Sequence, residues 1–368
     1  MAREGRQGLR WVAVKDLRED CVLAQDVLDE RGRVLLARGV RLTEGFVQRL
    51  VRMGVPAVCI EDERFDDVAV DEVVDAATRG RLLGATHAAL MELAGASTSR
   101  RAGASAVRGR LRPLVDEVVD CLESAEHAGR HLSSVYLTDG ELFHHSVNVT
   151  LFALAVGLRL GLPREELVAL GIGTLLHDVG KLRIPARILK KPGRLTRDEF
   201  EVVKLHTSYG YELLGQQSDL RETSRLIALE HHERVDGSGY PRGLKEDEIH
   251  LFGRIVGVAD VYEALTAHRV YRRGYLPHKA YEMILGGGGT QFDVRVVEAF
   301  VETIAVYRVG ASVRLSNGEW AVVIKSPPRR TQRPVVRVFA DADGLPVAEP
   351  YELDLMEHPT IEIVECAT

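Results

Sequence analysis

The clearest indication of chemistry in the sequence is an adjacent histidine and aspartate, His177 and Asp178. The histidine offers an imidazole nitrogen to one cation, and the aspartate offers two carboxylate oxygens that can bridge to a second cation. Gly180 allows the backbone to turn or to approach a neighbour closely, and Lys181 places a mobile positive charge beside any anion that the metal ions attract. This pattern predicts a site with more than one metal ion.

Side chains of the same chemical types occur on predicted helices before and after this pair. The candidate metal ligands are Glu141, His145, His177, Asp178, His206, His231, His232 and Asp260. Each one alone is explained as well by an ordinary core or surface role, but helical bundles build metal sites from inward-facing side chains of several helices. Imidazoles and carboxylates without thiolates favour iron, manganese or zinc. Eight ligands exceed the needs of one cation, so two metal ions are the minimum.

A third metal ion is predicted if Glu141 takes part. Glu141 lies four residues before His145, so one helical face carries both side chains, one turn apart. The loop from Arg234 to Pro241 contains two glycines and a proline, and we expect substrate contacts in such irregular backbone close to the ligands.

The elements that must position these ligands are helices. Helical spacing of apolar residues begins at Val68 and runs to Ala94, and a second helix carries Leu111 to Leu122. The ligand-bearing helices are expected to begin near Thr138, after Pro163, at the Thr196–Glu199 capping box, near Glu222 and at Ile255. The helix that begins at Ile255 is expected to run to Arg273. Asp293 should cap a final helix.

Both ends of the chain are predicted to contain strands. A strand over Val22–Leu28, a polar turn and the run Val34–Leu36 predict a hairpin, followed by a short helix after Thr43 and a strand over Ala57–Ile60. Ser316-Asn317-Gly318 predicts a second hairpin in a C-terminal β segment. We therefore divide the chain into a small α+β unit (1–66) with a structural, regulatory or dimer-forming role, connecting helices (67–136), a catalytic helical domain (137–308) and a small β extension (309–368).

Composition limits the partners. The net charge of −6 is spread through the 368 residues without a basic stripe, so no polynucleotide partner is expected. The sequence has neither an apolar run of about 20 residues nor a signal peptide, which predicts a cytoplasmic protein without a membrane partner. The four cysteines are scattered and indicate neither a zinc ribbon nor a disulfide framework.

From about Leu137 to Phe300 the chain resembles the HD-GYP family, a branch of the HD-domain metal-dependent phosphohydrolases. The resemblance is carried by the His177-Asp178 pair with Gly180-Lys181, by His206 with Gly210, by His231-His232-Glu233 with Asp236 to Pro241, and by Asp260 with Arg269, Tyr271 and Arg272. The Gly-Tyr-Pro of the family name is present as Gly239, Tyr240 and Pro241. The implied fold is a mainly α, HD-type helical bundle with a small α+β N-terminal unit and a small β C-terminal appendage.

The resemblance implies hydrolysis of cyclic di-GMP to linear pGpG, with GMP as a further product, by a metal-bridged hydroxide. It assigns His145, His177, Asp178 and Asp260 to one metal ion, with Asp178 bridging, and His206, His231 and His232 to the second. Glu141 matches the glutamate of members with three metal ions, and iron or manganese is expected. The resemblance assigns Asp178 and Lys181 to catalysis, and Lys181, Gly239, Tyr240, Pro241, Arg269 and Arg272 to the substrate.

Two other functions stay open on the sequence. One is a catalytically silent cyclic di-GMP receptor that signals through its helices, and the other is a phosphodiesterase for another cyclic dinucleotide such as cyclic GMP-AMP. The sequence also leaves open a homodimer through the N-terminal helices and a signalling protein as partner.

Overall fold

Helices account for most of the secondary structure in the computed structural model, which describes residues 8–17, 20–29, 31–68, 73–95, 106–127, 132–133, 143–267, 274–327 and 332–366. The helices are α1 (Glu44–Arg52), α2 (Ala76–Gly95), α3 (Ala106–His127), α4 (Phe143–Arg159), α5 (Arg164–Leu175), α6 (Ala186–Leu189), α7 (Arg197–Gly215), α8 (Glu222–Glu230), α9 (Leu251–Thr266), α10 (Pro277–Gly286) and α11 (Val294–Thr303). This arrangement confirms the mainly α prediction.

Except for β5, the strands lie towards the two ends of the chain. They are β1 (Leu9–Ala13), β2 (Val27–Leu28), β3 (Val34–Leu36), β4 (Ala57–Glu61), β5 (Leu132–Ser133), β6 (Ile304–Ala305), β7 (Ser312–Leu315), β8 (Trp320–Lys325), β9 (Val335–Ala340), β10 (Pro346–Asp354) and β11 (Ile363–Cys366). The predicted hairpins are present, with β2 antiparallel to β3 and β7 antiparallel to β8. The strand expected over Val22–Leu28 is shorter than predicted and covers only Val27–Leu28. The sequence analysis missed β1, which pairs with β4, and β10 at the edge of the C-terminal sheet.

Local capping signals correctly predicted where two helices begin. The Thr196 hydroxyl accepts a hydrogen bond from the Glu199 backbone N–H at 3.2 Å, and the Glu199 carboxylate accepts one from the Thr196 N–H at 2.7 Å, so α7 starts with the predicted capping box. The Asp293 carboxylate accepts a hydrogen bond from the Arg295 N–H at 2.8 Å and caps α11 in the same manner.

Three predicted helix boundaries were wrong. The helix expected to begin at Ile255 begins at Leu251, where the His250 Nδ1 atom accepts a hydrogen bond from the Phe252 N–H at 3.1 Å and caps the first turn. The helix expected from Val68 begins at Ala76, because the Asp75 carboxylate accepts a hydrogen bond from the Thr78 N–H at 2.7 Å and caps the first turn there. The helix expected to reach Arg273 ends at Thr266. The chain then returns so closely that a Cβ added at Gly274 would lie 2.2 Å from the Thr266 carbonyl oxygen.

One large apolar core joins the helices to the C-terminal sheet. It contains side chains of α2 and α3, such as Leu90 and Val115, together with Val149 of α4 and Val258 of α9. Val323 of β8 belongs to the same core. The two helices that we expected to connect domains therefore pack directly on the ligand-bearing bundle.

The C-terminal sheet and the N-terminal unit contact each other. The sheet has the order β10-β9-β8-β7-β11. The Trp11 N–H of β1 donates a hydrogen bond to the Gly310 carbonyl oxygen at 2.8 Å, and the Phe65 and Phe339 rings lie 5.8 Å apart. The Arg337 guanidinium donates two hydrogen bonds of 2.7 Å to the Asp67 carboxylate. The two ends of the sequence are therefore packed together in space.

Within the part of the chain that the structure describes, every helix is too short or too polar to cross a membrane.

Candidate metal centre

Five segments of the bundle bring the predicted ligands together. His145 lies in the first turn of α4, and Asp260 lies in the middle of α9. His177 and Asp178 lie between the end of α5 and a 3-10 helix, Val179–Arg183. The remaining ligands are His206 of α7 and the pair His231 and His232 that directly follows α8.

One group of ligands surrounds the Oδ2 oxygen of Asp178. The His145 Nε2 atom lies 3.5 Å from this oxygen and 3.0 Å from the Asp260 Oδ1 atom. The His177 Nε2 atom lies 3.4 Å from the same Asp178 oxygen and 3.9 Å from Asp260 Oδ1. His145, His177 and Asp260 can therefore direct ligand atoms to a single cation.

A second group faces the other carboxylate oxygen, Asp178 Oδ1. The Nε2 atoms of His206 and His231 lie 3.5 Å and 3.9 Å from it and 3.4 Å from each other. His232 completes a three-histidine group whose ligand atoms lie within 4.8 Å of one another. Because the two oxygens of Asp178 face different groups, this carboxylate has the arrangement of a bridge between two cations.

Hydrogen bonds orient four of the imidazole rings. The Nδ1 atoms of His177, His206 and His231 lie 2.7, 2.6 and 2.9 Å from backbone carbonyl oxygens. A protonated Nδ1 donates these bonds and leaves Nε2 with a free lone pair, which is the tautomer that a metal ligand requires. His145 uses a carboxylate, Glu263, at 2.6 Å in the same way.

The buried polar atoms of the site fit a cation. In the described residues, the His177 Nε2 and Asp178 Oδ1 atoms are buried without a hydrogen-bond partner. Such atoms cost free energy unless another group satisfies them. Two divalent cations would satisfy both, since the donor set is imidazole nitrogen and carboxylate oxygen.

The pKa values indicate neutral imidazoles in the second group. Burial lowers the pKa of His231 well below its ordinary value and lowers that of His232 to about 3. Burial raises the pKa of Asp178, but the positive charge of the adjacent Lys181 ammonium outweighs this effect and holds the pKa well below the ordinary value. Asp178 is therefore ionised and the two histidines are uncharged, as metal ligands must be.

The first group lies in a negative field. Burial lowers the pKa of His145, but Glu263 and Asp260 outweigh it and raise the pKa to about 10. The surroundings of this ring therefore favour a positive charge, which a metal ion would supply at the same position.

The sequence analysis missed Glu263 as part of the site. Its carboxylate bonds to the His145 ring and accepts a hydrogen bond from the Asn148 side-chain amide at 3.3 Å. A signal was available, because Glu263 lies three residues after Asp260 and so projects from the same side of α9. Such carboxylate–histidine pairs orient metal ligands in many proteins.

The Gly-Tyr-Pro loop is held from inside by two buried glutamates. The Glu233 carboxylate accepts hydrogen bonds from the N–H groups of Arg242 at 2.7 Å and Leu244 at 3.0 Å. Glu230 accepts one from the His250 N–H at 2.7 Å. The loop is therefore irregular in backbone conformation but tied to the end of α8.

The predicted substrate residues of this loop lie beside the ligands. The Tyr240 N–H donates a hydrogen bond to the His232 carbonyl oxygen at 3.1 Å, and the two rings lie 4.8 Å apart. A Cβ added at Gly239 would lie 2.4 Å from the Arg234 nitrogen, so this glycine permits the close approach, and Pro241 follows Tyr240.

Lys181 also reaches the centre. Its Nζ atom lies 2.5 Å from Asp178 Oδ2. Glu141, Arg269 and Arg272, which the sequence analysis assigned to a third metal ion and to the substrate, lie outside the described residues.

Comparison with known proteins shows what the ligand-bearing part of the chain is similar to. Residues 125–296 match the family model described as an HD domain. PA4108 of Pseudomonas aeruginosa, named a cyclic di-GMP phosphodiesterase, is 38% identical over 232 residues, which cover 62% of this chain and 55% of that protein. This part of the chain is therefore similar to HD domains and to a cyclic di-GMP phosphodiesterase. Residues 312–368 match a model described as a KOW domain associated with HD domains.

Other curated relatives differ in the substrate that their names state. RpfG of Xanthomonas campestris, a cyclic di-GMP phosphodiesterase response regulator, is 38% identical over 61% of this chain and 59% of its own length. A Vibrio cholerae protein named 3'3'-cGAMP-specific phosphodiesterase 2 is 34% identical over 51% of this chain and 36% of that protein. The chain thus spans little more than half of the length of the first two curated relatives.

A solved structure shows the same fold. Bd1817 of Bdellovibrio bacteriovorus, described as an HDG"Y"P protein, superimposes with a TM-score of 0.51 at 16% identity and covers 79% of this chain and 98% of its own. This match confirms the HD-type helical bundle.

Proposed function

We propose that this chain is a metal-dependent phosphodiesterase that hydrolyses cyclic di-GMP to linear pGpG, with GMP as a further product. The observation that carries the proposal is Asp178, whose two oxygens face two separate groups of histidines. The names of the curated relatives support a cyclic dinucleotide as substrate.

The proposed metal ligands follow the two groups. His145, His177, Asp178 and Asp260 would hold one divalent cation, and Asp178, His206, His231 and His232 would hold the second. We propose iron or manganese, with a third ion only if Glu141 joins the site. When bound, such cations lower the pKa of water and neutralise the charge that develops on a phosphodiester during hydrolysis.

Side chains of the protein itself bind the substrate and keep Asp178 ionised. The Asp178 carboxylate stays ionised because Lys181 lies beside it. The Lys181 side chain is 30% exposed, so its ammonium can also meet a non-bridging phosphate oxygen from the solvent side. Tyr240 lies next to His232 and would hold the nucleotide beside the cations. Arg269 and Arg272 remain proposed substrate contacts.

The test measures metal content and turnover on the same anaerobically purified sample. We expect two or three iron or manganese ions per chain together with hydrolysis of cyclic di-GMP. Asp178→Ala should lose metal and turnover together, because it removes both bridging oxygens. Asp198→Asn on the exposed first turn of α7 serves as the control. Turnover by metal-free Asp178→Ala protein would refute the mechanism.

The same experiment distinguishes the proposed function from two alternatives. The cGAMP-specific relative supports 3'3'-cyclic GMP-AMP as an alternative substrate. Full metal content with hydrolysis of that dinucleotide but not of cyclic di-GMP would establish it. Binding of cyclic di-GMP by a protein that retains no metal would establish a receptor instead.

A further inference from the structure

A partly exposed aromatic and cationic surface extends from the metal centre along α7. Its members are Phe200 and Lys204, one helical turn apart on α7, and Tyr240 of the Gly-Tyr-Pro loop. The Phe200 and Tyr240 rings lie 6.1 Å apart and nearly perpendicular, at 81°. The Lys204 Nζ atom lies 5.4 Å from the Phe200 ring centre and 5.6 Å from the Tyr240 ring centre.

This surface is continuous with the proposed ligands. The Tyr240 ring lies 4.8 Å from the His232 ring at an angle of 33°. The His232 Nδ1 atom in turn lies 3.8 Å from Asp260 Oδ2. When the phosphate of a ligand reaches the metal centre, the group attached to that phosphate therefore lies beside Tyr240. Phe200 and Lys204 lie next along the same surface.

The packing of the protein does not account for the position of Phe200. Its side chain is 44% exposed, although a phenyl ring contributes most to stability when it is buried. Lys204 pairs with the exposed Glu201 at 2.8 Å, and an ion pair with one partner in solvent adds little to stability. Both residues are more readily explained by a ligand that covers them.

We propose that Phe200, Lys204 and Tyr240 form a base-binding surface that takes one guanine of the cyclic dinucleotide, an inference that rests on the proposed function. An aromatic ring can stack on the flat face of any base. The Lys204 ammonium donates hydrogen bonds, and guanine presents two acceptors, O6 and N7, on one edge. Adenine presents an amino donor in place of O6. Lys204 therefore favours guanine over adenine.

The experiment compares substrates with and without bases. Phe200→Ala and Lys204→Met are assayed on cyclic di-GMP, on cyclic di-AMP and on bis(p-nitrophenyl) phosphate, a phosphodiester without a base. Tyr351→Ala, an equally exposed aromatic residue on the C-terminal sheet, and Lys279→Met, from a similar Lys–Glu pair on α10, are the matched controls.

We expect Phe200→Ala to raise the KM for cyclic di-GMP by about 10- to 100-fold, the range for loss of one stacked base. Hydrolysis of bis(p-nitrophenyl) phosphate should be unchanged. Lys204→Met should reduce the preference for cyclic di-GMP over cyclic di-AMP by about tenfold or more, and Lys204→Arg should retain it. Equal effects on all three substrates, or none, would overturn the proposal.

Binding measurements distinguish this proposal from the proposed function. If the wild-type protein hydrolyses no cyclic dinucleotide, equilibrium binding of cyclic di-GMP is compared between wild type and Phe200→Ala. Weaker binding by the variant would keep the base-binding surface while the phosphodiesterase proposal fails. Unchanged binding, or none by the wild type, would reject the surface as well.

Discussion

At the scale of single residues, the candidate centre depends on carboxylates in two different roles. Asp178 faces both histidine groups and would bind metal directly, whereas Glu263 bonds to the far side of the His145 ring. A carboxylate in the second role sets the tautomer and orientation of the ligand and increases its basicity. Removing its charge should therefore weaken metal binding without removing a ligand.

We predict that Glu263→Gln lowers metal affinity by about 10- to 100-fold. The amide oxygen can still accept a hydrogen bond from His145 Nδ1, so the ring stays in place but becomes a poorer ligand. Competition with a chelator, followed by elemental analysis, measures the change, and Glu282→Gln on the surface of α10 is the control. Unchanged affinity would show that Glu263 merely fills space.

At the scale of elements, the centre depends on how closely the 3-10 helix after Asp178 packs against α7. A Cβ added at Gly180 would lie 1.9 Å from the His206 carbonyl oxygen and 2.6 Å from the Gly210 nitrogen. These are backbone atoms of a long helix, which cannot move aside as a flexible side chain can. The glycine thus sets the distance between Asp178 and His206.

We predict that Gly180→Ala increases the distance between Asp178 and His206. Relief of the clash must shift α7, at a cost of about 1–3 kcal/mol in the free energy of unfolding, the range for overpacked cores. The second metal ion should be lost more readily than the first, because His206 moves with α7. Chemical denaturation and metal stoichiometry test this.

Gly286→Ala is the matched control for this substitution. Gly286 is the last residue of α10, and a Cβ there meets no atom within 4 Å. This variant should keep its full metal content and stability. A Gly180→Ala protein that behaves in the same way would contradict the packing argument.

At the scale of the whole molecule, the two ends of the sequence pack against each other. The Phe65–Phe339 ring contact and the Trp11–Gly310 hydrogen bond join the N-terminal unit to the C-terminal β segment. Directly after the N-terminal unit, Asp67 forms an ion pair with Arg337 of the sheet. The sheet in turn shares the main core with the ligand-bearing helices. The N-terminal unit is thus connected to the bundle through the sheet.

We predict that Asp67→Asn lowers stability more at neutral pH than in acid. The hydrogen bonds from Arg337 lower the pKa of Asp67 below its ordinary value of 3.8. A lowered pKa in the folded state means that the stabilisation is complete above the ordinary pKa and is lost as the pH falls through the lowered one. Because Asp67 is largely exposed, the effect should not exceed about 1 kcal/mol.

Thermal denaturation at pH 7 and near pH 3 measures this effect. The gap in melting temperature between wild type and Asp67→Asn should narrow as the pH falls to about 3, whereas Asp343→Asn, in the exposed turn before β10, should show no gap at either pH. A gap that does not depend on pH would mean that the ion pair contributes nothing through its charge.

The sequence by itself determined which side chains could hold metal ions and most of the helices that carry them. His177 and Asp178 are neighbours in the chain, and His206 and Asp260 lie on strongly patterned helices, so local chemistry and helical periodicity identify them. The capping residues Thr196 and Asp293 likewise act on N–H groups two or three residues away. Local signals of this kind do not depend on the rest of the fold.

Only the tertiary structure decided how these residues meet. That the two oxygens of Asp178 face different groups, and that Glu263 bonds to His145, depends on four helices packing at particular distances. The end of α9 at Thr266 and the contact between Phe200 and Tyr240 also involve segments far apart in sequence. Periodicity shows which face of a helix is buried, but not which partner covers it, because packing is settled by the shapes of all neighbouring side chains together.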